Sequence, residues 1–427
     1  MRIHLSALGC RLNEAELEQW AQAFSRAGDS VTQQESDADV LVMNTCAVTS
    51  EAVRKSRQRI QKLQRQNPSA KLVVSGCYSS LEKPEVLAQL GVDLVVPNES
   101  KEQLVQMTRS AFEQPVMPEN ATTPAEAPLF QRNRHRAFIK IQDGCRYRCT
   151  FCIVTVARGA ERSRSINDIT DEVNSLASSG IKEVVLTGVH VGGYGSDLDT
   201  NLQALVSALL TNTDIPRIRF ASVEPWDLSD EFLTLFEDPR LMPHMHLPLQ
   251  SGSDTVLRRM ARRCKTADFQ ELSHALQSSI PNFNITTDII VGFPGETEQE
   301  WEESKQTIAS LGFGHIHIFN YSIREGTKAA TLPNHVPKSV RQSRSRELHQ
   351  LANELRQQVL STQLGQQVPV LWERGKKVCD GFEHAGYTPN YLKVITRSKE
   401  NLANQILSTK LSGIQDSNLT GTIVPSL

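Results

Sequence analysis

The chain of 427 residues is too long for one ordinary hydrophobic core, so roughly two to four domains are expected. Its composition is that of a globular protein, and no apolar run approaches the length of a membrane span. The formal net charge of −2 means that affinity for nucleic acid must come from local basic clusters. No leader of basic and then apolar residues follows Met1, so a cytoplasmic location is expected.

The first 112 residues alternate short apolar runs with helical patterns. Strand-like runs such as "DVLVMN" and "KLVVSG" alternate with amphipathic stretches such as "NEAELEQWAQAFSRAG". Apolar runs of this length between helices are typical of a parallel sheet covered by crossover helices. Residues 1–112 therefore predict an N-terminal parallel α/β sheet domain.

Three cysteines fall just past the ends of predicted strands in this domain. Cys10, Cys46 and Cys77 occur in "LGC", "NTC" and "SGC", about one βα unit apart. We call them the N-terminal trio. Because parallel strands end at one edge of a sheet, where ligands bind, the three thiols should converge. Free cysteines are also common in cores, but three equivalent placements favour a shared ligand, and a reducing compartment favours metal over disulfides.

Two stretches of the chain are locally basic. Six Lys or Arg and no acid lie between Arg54 and Arg65, on a predicted helix whose solvated face could account for them. Nine Lys or Arg lie between Phe130 and Ser165, against two acids. This second cluster surrounds further cysteines and predicts attraction of a polyanion.

Residues 113–133 are rich in Pro, Ala, Thr and Glu without periodicity, which predicts an interdomain linker. Residues 134–364 open with the strand "AFIKIQ" and continue as βα units, six in all. This repetition predicts a full or partial β/α (TIM) barrel, whose chemistry belongs at the C-terminal ends of its strands. The barrel trio follows the first strand, as that rule requires, and consists of Cys145, Cys149 and Cys152.

The last part of the chain predicts a third, all-β domain. After a long polar helix at about 338–364, short alternating runs with Gly and Asn between them indicate a small barrel in residues 365–427. Its segment "GYTPNYLKV" suits stacking on bases and contact with phosphate, or simply a barrel core, through Tyr387, Asn390, Tyr391 and Lys393.

The barrel trio, in "DGCRYRCTFC", lacks a fourth ligand nearby. Structural zinc sites use four protein ligands, usually as two paired motifs. Here His135 precedes the strand, and His190 lies a strand and a helix away. A 4Fe-4S cluster normally has four thiolates, so three thiolates would leave one iron open to a cofactor.

The motif CxxxCxxC after a first barrel strand, with Phe151 inside it, resembles the radical S-adenosylmethionine (SAM) enzymes. The segments "LGCRLNEAE", "NTCAVT" and "SGCY" before the barrel, and a small β-domain after it, resemble the methylthiotransferase family across essentially the whole chain. "LTGVHVGGYGSD" and "TTDIIVGFPGETEQEW" look most like the tRNA N6-threonylcarbamoyladenosine methylthiotransferases. The last domain then resembles the RNA-binding module called TRAM.

The resemblance implies SAM and two 4Fe-4S clusters as cofactors. The barrel trio would hold the catalytic cluster, which cleaves SAM reductively to a radical that abstracts hydrogen from C2 of an adenosine beside the anticodon. The N-terminal trio would hold a second cluster that passes on a methylated sulfur. The six implied metal ligands are Cys10, Cys46, Cys77, Cys145, Cys149 and Cys152, and the two trios should face one cavity.

Further contacts follow from the resemblance. The expected partners are a tRNA anticodon stem-loop and an electron donor such as flavodoxin or ferredoxin, with no membrane and no prediction of oligomeric state. The resemblance implies contacts to SAM or substrate at Phe151, Gly188, Gly192, Gly292 and Glu296. The plainer interpretation of the glycines is that they form ordinary turns. The stem-loop would be held by Arg132, Arg134, Arg136, Arg146, Arg148, Arg158, Arg162 and Arg164.

Two alternatives stay open at this point. The same chemistry could act on N6-isopentenyladenosine of tRNA or on an aspartate of a ribosomal protein. The more distant alternative is a non-catalytic RNA-binding protein in which the two trios hold a structural metal.

Overall fold

The computed structural model describes residues 1–112 and 135–424. The predicted linker, residues 113–133, lies outside the described residues, so the domain boundaries beside it stay predictions. The described chain forms a parallel sheet, a partial barrel and a small all-β barrel, which confirms the mixed α/β fold class. Within these ranges no helix is long and apolar enough to cross a membrane.

The first 112 residues form a five-stranded sheet with helices on both faces. The elements are β1 (Arg2–Ala7), α1 (Arg11–Arg26), β2 (Ser30–Thr32), β3 (Val40–Thr45), α2 (Ser50–Gln66), β4 (Lys71–Gly76), α3 (Cys77–Leu81), α4 (Pro84–Gln89), β5 (Leu94–Val96) and α5 (Leu104–Phe112). Every pairing is parallel, in the order β2-β1-β3-β4-β5. Leu41 and Met43 of β3 pack with α2, whereas Val40 and Val42 pack with α1. This alternation explains why β3 is buried throughout.

The next part of the chain forms an incomplete parallel barrel. Its elements are β6 (Arg136–Lys140), β7 (Gln142–Asp143), α6 (Val154–Arg158), β8 (Arg162–Ser163), α7 (Ile166–Ser178), β9 (Glu183–Thr187), α8 (Leu202–Asn212), β10 (Arg217–Phe220), α9 (Asp230–Leu233), β11 (His244–His246), α10 (Asp254–Arg259), α11 (Thr266–Ser279), β12 (Asn284–Val291), α12 (Glu298–Ser310), β13 (His315–Asn320) and α13 (Lys338–Ser361). The strand sets β6-β9-β10 and β11-β12-β13 are joined by a parallel bridge between Ile218 and Leu241. Six barrel strands therefore follow one another, with β6 and β13 at the open edges.

Helix α1 lies against the concave side of this barrel. Ile139 and Val184 face outward, where they pack in the large core that includes α7. The alternate residues Phe138 and Val185 face inward and pack with Ala15 of α1. A helix from the N-terminal sheet therefore packs on the interior side of β6 and β9.

The C-terminal residues form a closed, mostly antiparallel barrel. Its strands are β14 (Gln367–Trp372), β15 (Lys376–Val378), β16 (Gly381–Tyr387), β17 (Lys393–Ser398), β18 (Ile406–Gln415) and β19 (Asn418–Ile423). Strand β14 pairs with both β18 and β16, which closes the ring β14-β18-β19-β17-β16. Trp372 is fully buried in its core.

This C-terminal barrel seats on the amino ends of the parallel barrel strands. The guanidinium of Arg136 at the start of β6 lies 4.4 Å from the ring centroid of Tyr387, and that of Arg219 lies 4.7 Å from Tyr391. Asn284 Nδ2 at the start of β12 donates to the carbonyl of Asn390 at 2.8 Å. The C-terminal barrel therefore covers the end of the parallel barrel opposite the cysteine loop.

The same contacts correct one sequence prediction. Asn390 is 5% exposed, and the rings of Tyr387 and Tyr391 stack on each other with centroids 4.9 Å apart. The guanidinium groups of Arg136 and Arg219 lie against the two tyrosine rings, where bases were expected to stack. The expectation that these three side chains contact RNA is therefore wrong, because they hold the two barrels together.

Candidate active site

The N-terminal trio lies at the carboxyl edge of the parallel sheet. Cys46 and Cys77 directly follow β3 and β4, and Cys10 ends the turn between β1 and α1. Because β1, β3 and β4 are neighbours in the sheet, the three turns are adjacent. Gly9 has a φ of +101°, and a Cβ there would lie 2.6 Å from Cys46 Sγ, so this close approach requires glycine.

Hydrogen bonds fix these turns. Asn13 Nδ2 donates to the carbonyls of Leu8 at 2.7 Å and Thr45 at 3.2 Å. Ser56 Oγ accepts from the amide of Cys46 at 3.1 Å and donates to its carbonyl at 2.9 Å. Burial raises the pKa of the Cys46 thiol to about 11, and the other two thiols of the N-terminal trio act in the same direction. A metal at this site would therefore displace a thiol proton.

The barrel trio lies in the loop between β7 and α6, past the C-terminal end of β6. Gly144, with φ +72°, passes so close to the carbonyl of Ala160 that a side chain would clash. Thr150 N donates to the carbonyl of Met260 at 2.9 Å, which anchors the loop. Burial raises the pKa of Cys145 to about 12, and the other two thiols of the barrel trio act in the same direction.

The two trios approach each other where α3 meets α6. Helix α3 begins at Cys77, and Ala157 of α6 packs in the same core cluster as Cys77 and Tyr78. Asn98 Nδ2 donates to the carbonyl of Ala157 at 2.6 Å. Burial raises the pKa of Cys152 to about 11, and Cys77 acts in the same direction, so a thiol of one trio lies within electrostatic range of the other.

A buried network of charges lies beside both trios. Arg158 Nη1 donates to Glu16 Oε1 and to Asp143 Oδ1, both at 2.9 Å, and its Nη2 donates to Asn13 Oδ1 at 2.8 Å. Lys101 Nζ donates to Glu16 Oε2 at 2.6 Å. Glu16 and Lys101 belong to the N-terminal sheet, whereas Arg158 and Asp143 belong to the barrel. The network therefore ties the two units together at the cysteines.

This network holds more cations than carboxylates. Arg158, Lys101 and Lys140 surround Glu16 and Asp143, and no side chain of the five is more than 9% exposed. Burial raises the pKa of Glu16, but the three cations outweigh it and hold that pKa well below its usual range. Burial lowers the pKa of Arg158, which Glu16, Asp143 and two thiols of the N-terminal trio together raise well above normal. An unbalanced buried cation is costly, and an iron–sulfur cluster on three thiolates is an anion, so these residues fit such a cluster.

His190 was treated in the sequence as remote from the barrel trio, and the structure corrects this. The turn after β9 brings a ring nitrogen of His190, a carboxylate oxygen of Glu161 and Cys145 Sγ within 4.8 Å of one another. Its Nδ1 lies 2.5 Å from Glu161 and its Nε2 lies 2.6 Å from Asp227. Burial lowers the pKa of His190, but the hydrogen bonds that its ring donates to these two carboxylates help to raise that pKa overall. Both nitrogens are engaged, so His190 positions the loop rather than offering a fourth ligand.

Two of the predicted SAM-contact glycines lie beside this histidine. Gly188 and Gly192 follow β9, and a Cβ on Gly192 would lie 2.5 Å from Cβ of Asp227. A Cβ on Gly188 would lie 2.9 Å from Gln142 Oε1. Their position past a barrel strand was the signal that could have identified His190 as part of the site.

The other predicted contacts lie elsewhere. Glu296 is 5% exposed and accepts at 2.8 Å from the amide of Gly292 and from Arg344 Nη1 of α13. Phe151 packs against a separate small core that contains Met260. The structure thus gives Glu296 and Gly292 partners within the protein, and a role for them in SAM binding stays a prediction.

Exposed arginines surround the barrel trio. Arg146, Arg148 and Arg162 are exposed, and the guanidinium of Arg263 lies 4.6 Å from the ring centroid of Tyr147. We call Arg146, Arg148, Arg162 and Arg263 the arginine rim. Three of them were predicted to contact the anticodon stem-loop, whereas Arg263 was not named as a contact.

The remaining predicted phosphate contacts are not on this rim. Arg136 pairs with Glu373 at 2.7 Å, and Arg164 pairs with Glu172 at 2.6 Å. Arg158 belongs to the buried network. The prediction of RNA contacts at Arg136 and Arg158 is wrong, because their side chains are 10% and 1% exposed and pair with carboxylates of the chain. Arg164 is 25% exposed, so its contact with RNA stays a prediction. Predicted contacts at Arg132 and Arg134 lie outside the described residues.

Two family models match the chain. Residues 2–97 match the uncharacterized protein family UPF0004. Residues 139–308 match the Radical SAM superfamily. The first range includes the N-terminal trio, and the second includes the barrel trio.

Curated relatives match almost the whole chain. A threonylcarbamoyladenosine tRNA methylthiotransferase of Bacillus subtilis is 36% identical over 95% of this chain and 92% of its own length. Another of that name, from Thermotoga maritima, is 33% identical over 89% of each chain. A tRNA-2-methylthio-N(6)-dimethylallyladenosine synthase of Akkermansia muciniphila is 32% identical over 100% of this chain and 99% of its own length.

Solved structures agree with the barrel. The radical S-adenosylmethionine methyltransferase TsrM of Kitasatospora setae covers 77% of each chain with a TM-score of 0.58 at 14% identity. At that identity the likeness shows the fold alone, and it confirms the predicted radical-SAM barrel.

Proposed function

This chain belongs to the radical SAM tRNA methylthiotransferase family, and from that premise we propose that it adds a methylthio group to C2 of N6-threonylcarbamoyladenosine beside the anticodon of tRNA. The observation that supports this most strongly is the meeting of two cysteine trios from different units, three thiols in each. A structural zinc site would require a fourth ligand for each trio. The only histidine grouped with a cysteine thiol in the described chain already bonds two carboxylates.

Enzymes of this family use SAM and 4Fe-4S clusters, and we assign one cluster to each trio. When bound, these groups supply the electron that cleaves SAM, the radical that removes hydrogen from C2, and the methylthio sulfur. The C2 hydrogen of adenine is not acidic, so no side chain is needed as a general base. The protein's own residues position the reactants instead.

The positioning residues are those that fix the two trios. Thr150 holds the barrel loop through Met260, and Asn13 joins the turns that carry Cys10 and Cys46. The Arg158 network then sets the separation of the trios, because its bonds connect α1 with α6. A fixed separation matters, since a radical on the substrate must meet its sulfur donor within bonding distance.

The tRNA would lie over the arginine rim. Guanidinium groups beside a reactive site attract phosphate at long range and bind it at short range. The opposite end of the barrel is covered by the C-terminal barrel, so the anticodon loop enters from the side of the cysteine loops. The electron comes from outside the chain, and flavodoxin or ferredoxin is the donor that we propose, in the cytoplasm.

Nucleosides of tRNA test the proposal directly. A strain lacking this gene should be complemented with the wild-type gene, with Cys149→Ala or with Cys379→Ala, an exposed cysteine outside both trios. Mass spectrometry should find the methylthio derivative of threonylcarbamoyladenosine with the wild-type and Cys379→Ala genes. Cys149→Ala should give none, while circular dichroism shows a folded protein.

Two results would count against this function. Normal methylthiolation with Cys149→Ala would remove the barrel trio from the mechanism. Loss of methylthio-isopentenyladenosine in the deletion strain, with the threonylcarbamoyl nucleoside unaffected, would assign the prenylated adenosine as the substrate.

A further inference from the structure

The inward side of β11, β12 and β13 carries a polar cluster that the proposed chemistry does not use. On β6 and β9 the central inward residues, Phe138 and Val185, are apolar and pack against Ala15 of α1. On β11, β12 and β13 the inward positions are His246, Asp288 and His317, while their neighbours Met245, Ile289 and Ile316 face the outer core. We call His246, Asp288 and His317 the wall, and it lies across the interior from the side where α1 packs.

The cluster is compact and open to solvent. His246 Nε2 lies 3.2 Å from Asp288 Oδ1, and its Nδ1 lies 2.9 Å from Thr286 Oγ1. The rings of His246 and His317 have centroids 5.5 Å apart. Ligand atoms of His246, Asp288 and His317 all lie within 4.8 Å of one another, and His317 is exposed. The arrangement holds His246 in place. The His317 ring also contacts His315, with centroids 4.5 Å apart, and Asp288 has a second carboxylate oxygen besides the one that meets His246.

A cation from the N-terminal sheet completes this wall. Arg11 is the first residue of α1, and its guanidinium lies 5.0 Å from the ring centroid of Phe138 in the barrel interior. His317 is exposed at one side only, and partial burial of its ring is the largest influence that lowers its pKa; the charge of Arg11 acts in the same direction. One Nη of Arg11 bonds Glu14 at 3.1 Å, and a guanidinium has further N–H donors.

The position of Arg11 links this wall to the chemistry. Arg11 directly follows Cys10 of the N-terminal trio, so the wall begins beside the sulfur donor. In an adenine ring N1 lies between C2 and C6, and C6 carries the N6 substituent. A ring placed with C2 at the trios therefore directs that substituent to one side of the barrel interior. Ala15 of α1 packs on Phe138 and Val185, so the side of the interior away from that contact is the one that carries the wall.

We propose that Arg11, His246, Asp288 and His317 form the subsite that binds the polar substituent on N6 of the target adenosine. This inference rests on the proposed function and adds to it the residues that recognise the substrate class. A threonylcarbamoyl group ends in a carboxylate and a hydroxyl, whereas an isopentenyl group has neither. Arg11 and His317 donate to the carboxylate, and Asp288 Oδ2 accepts from the hydroxyl, while His246 holds Asp288.

The subsite selects its substrate because a substituent of the wrong kind leaves polar groups of the protein without hydrogen-bond partners. A site built to hydrogen-bond a carboxylate rejects a substituent without one, because the guanidinium and imidazole would lose water without gaining a partner. The apolar alternative substituent would instead prefer the side of the interior where α1 packs.

Binding of two synthetic stem-loops tests this subsite. One anticodon stem-loop carries N6-threonylcarbamoyladenosine and the other carries unmodified adenosine at the same position. The measurement is the ratio of their affinities for the anaerobically reconstituted enzyme, compared among the wild type, His317→Ala and His349→Ala. His349 is exposed on α13 and serves as the matched control.

We expect His317→Ala to reduce this affinity ratio by about tenfold or more, through weaker binding of the modified stem-loop only. Affinity for the unmodified stem-loop, iron content and circular dichroism should match the wild type, and His349→Ala should change nothing. Arg11→Gln should reduce the same ratio.

Other outcomes would overturn the inference. An unchanged ratio in His317→Ala, or equal loss for both stem-loops, would exclude recognition of the substituent. Stoichiometric zinc that is present in the wild type and lost in His317→Ala would make the cluster a metal site. If the wild type fails to methylthiolate the modified stem-loop, the proposed function fails with the inference, whereas wild-type turnover with an unchanged ratio removes the inference alone.

Discussion

Single residues determine how the two trios are held. Arg158 has a side chain only 1% exposed, and it contacts carboxylates of both the N-terminal sheet and the barrel. Removal of one partner from a buried charge network leaves the remaining charges without compensation. The bonds of Arg158 whose loss would destabilise the fold are therefore the same bonds that set the geometry of the site.

The first prediction concerns Arg158→Ala. Because Glu16, Asp143 and Asn13 would each lose a buried hydrogen-bond donor, we expect the free energy of unfolding to fall by about 3–5 kcal/mol. Urea denaturation of the protein without added iron measures this. Arg54→Ala, at an exposed position on α2, is the control and should change the free energy by less than about 0.5 kcal/mol. Equal values for the two variants would contradict the network.

The second prediction concerns Glu300, which Arg259 contacts with both guanidinium nitrogens at 2.7 and 2.8 Å. Its hydrogen bond with Arg259 lowers the pKa of Glu300 to about 2. The stabilisation is therefore complete above the ordinary glutamate pKa and is lost as the pH falls toward the folded value. Glu300→Gln should cost about 1 kcal/mol at neutral pH, a difference that shrinks at acid pH.

Urea unfolding at about pH 7 and about pH 3 measures that difference. Glu302→Gln, at a more exposed position on the same helix, is the control and should have a smaller effect. A difference between wild type and Glu300→Gln that grows on acidification would show that the pair does not stabilise the fold. The pair matters to the site, since Thr150 Oγ1 donates to the carbonyl of Arg259 at 2.9 Å.

The residues of the site were predictable from sequence to different degrees. Cys10, Cys46 and Cys77 each follow a strand, and the topology of a parallel sheet brings such positions together. His190 could not be placed by spacing, because a helix and a strand separate it from Cys145 in sequence but not in space. Pairing of Arg158 with Glu16, 142 residues away, depends on how α1 packs in the barrel.

At the scale of elements, long periodic segments were predicted well. The periodicity of residues 202–211 predicts a helix, which the structure places at Leu202–Asn212, and that of residues 267–279 predicts another, found at Thr266–Ser279. The short helices α3, α6 and α10 had too few residues to show a period. Strand β16, "GFEHAGY", was missed because its glycines and polar residues do not alternate.

The third prediction tests whether Tyr391 of the C-terminal barrel, which was expected to contact RNA, instead joins the two barrels. Tyr391→Ala removes a ring that lies against Arg136, Arg219 and Tyr387, so the free energy of unfolding should fall by about 1–3 kcal/mol. Affinity for tRNA, measured by filter binding on folded protein, should stay within about twofold of wild type. Lys377→Ala, at an exposed position on β15, is the stability control. A large loss of tRNA affinity with unchanged stability would restore base stacking by Tyr391.

In the whole molecule, the role of each of the three units follows from its position. The C-terminal barrel covers the amino end of the parallel barrel, and α1 packs on the interior side of β6 and β9. The two trios and the arginine rim share the opposite end. The cations on α2 are largely paired with carboxylates of the same chain, since Arg57 bonds Glu82 and Arg59 bonds Glu35. The solvated face that the sequence allowed for this helix therefore fits the structure better than an RNA surface.

The fourth prediction follows from that distribution of charge. Each arginine of the rim that neutralises a phosphate should contribute about one to the slope of log affinity against log salt concentration. Arg148→Ala should reduce that slope for tRNA, whereas Arg65→Ala on α2 should leave it unchanged. Titration of fluorescent stem-loop at several salt concentrations measures both. A slope that changes with Arg65→Ala instead would move the RNA surface to α2.

The central claim is that each trio holds its own cluster, and iron and sulfide analysis after anaerobic reconstitution tests it most directly. The wild type should bind two 4Fe-4S clusters per chain. Replacement of either complete trio by alanine should remove half of the iron and leave the other cluster's absorption and paramagnetic resonance spectra in place. A wild-type protein with iron for only one cluster, or a single trio whose removal abolishes all iron, would contradict the account.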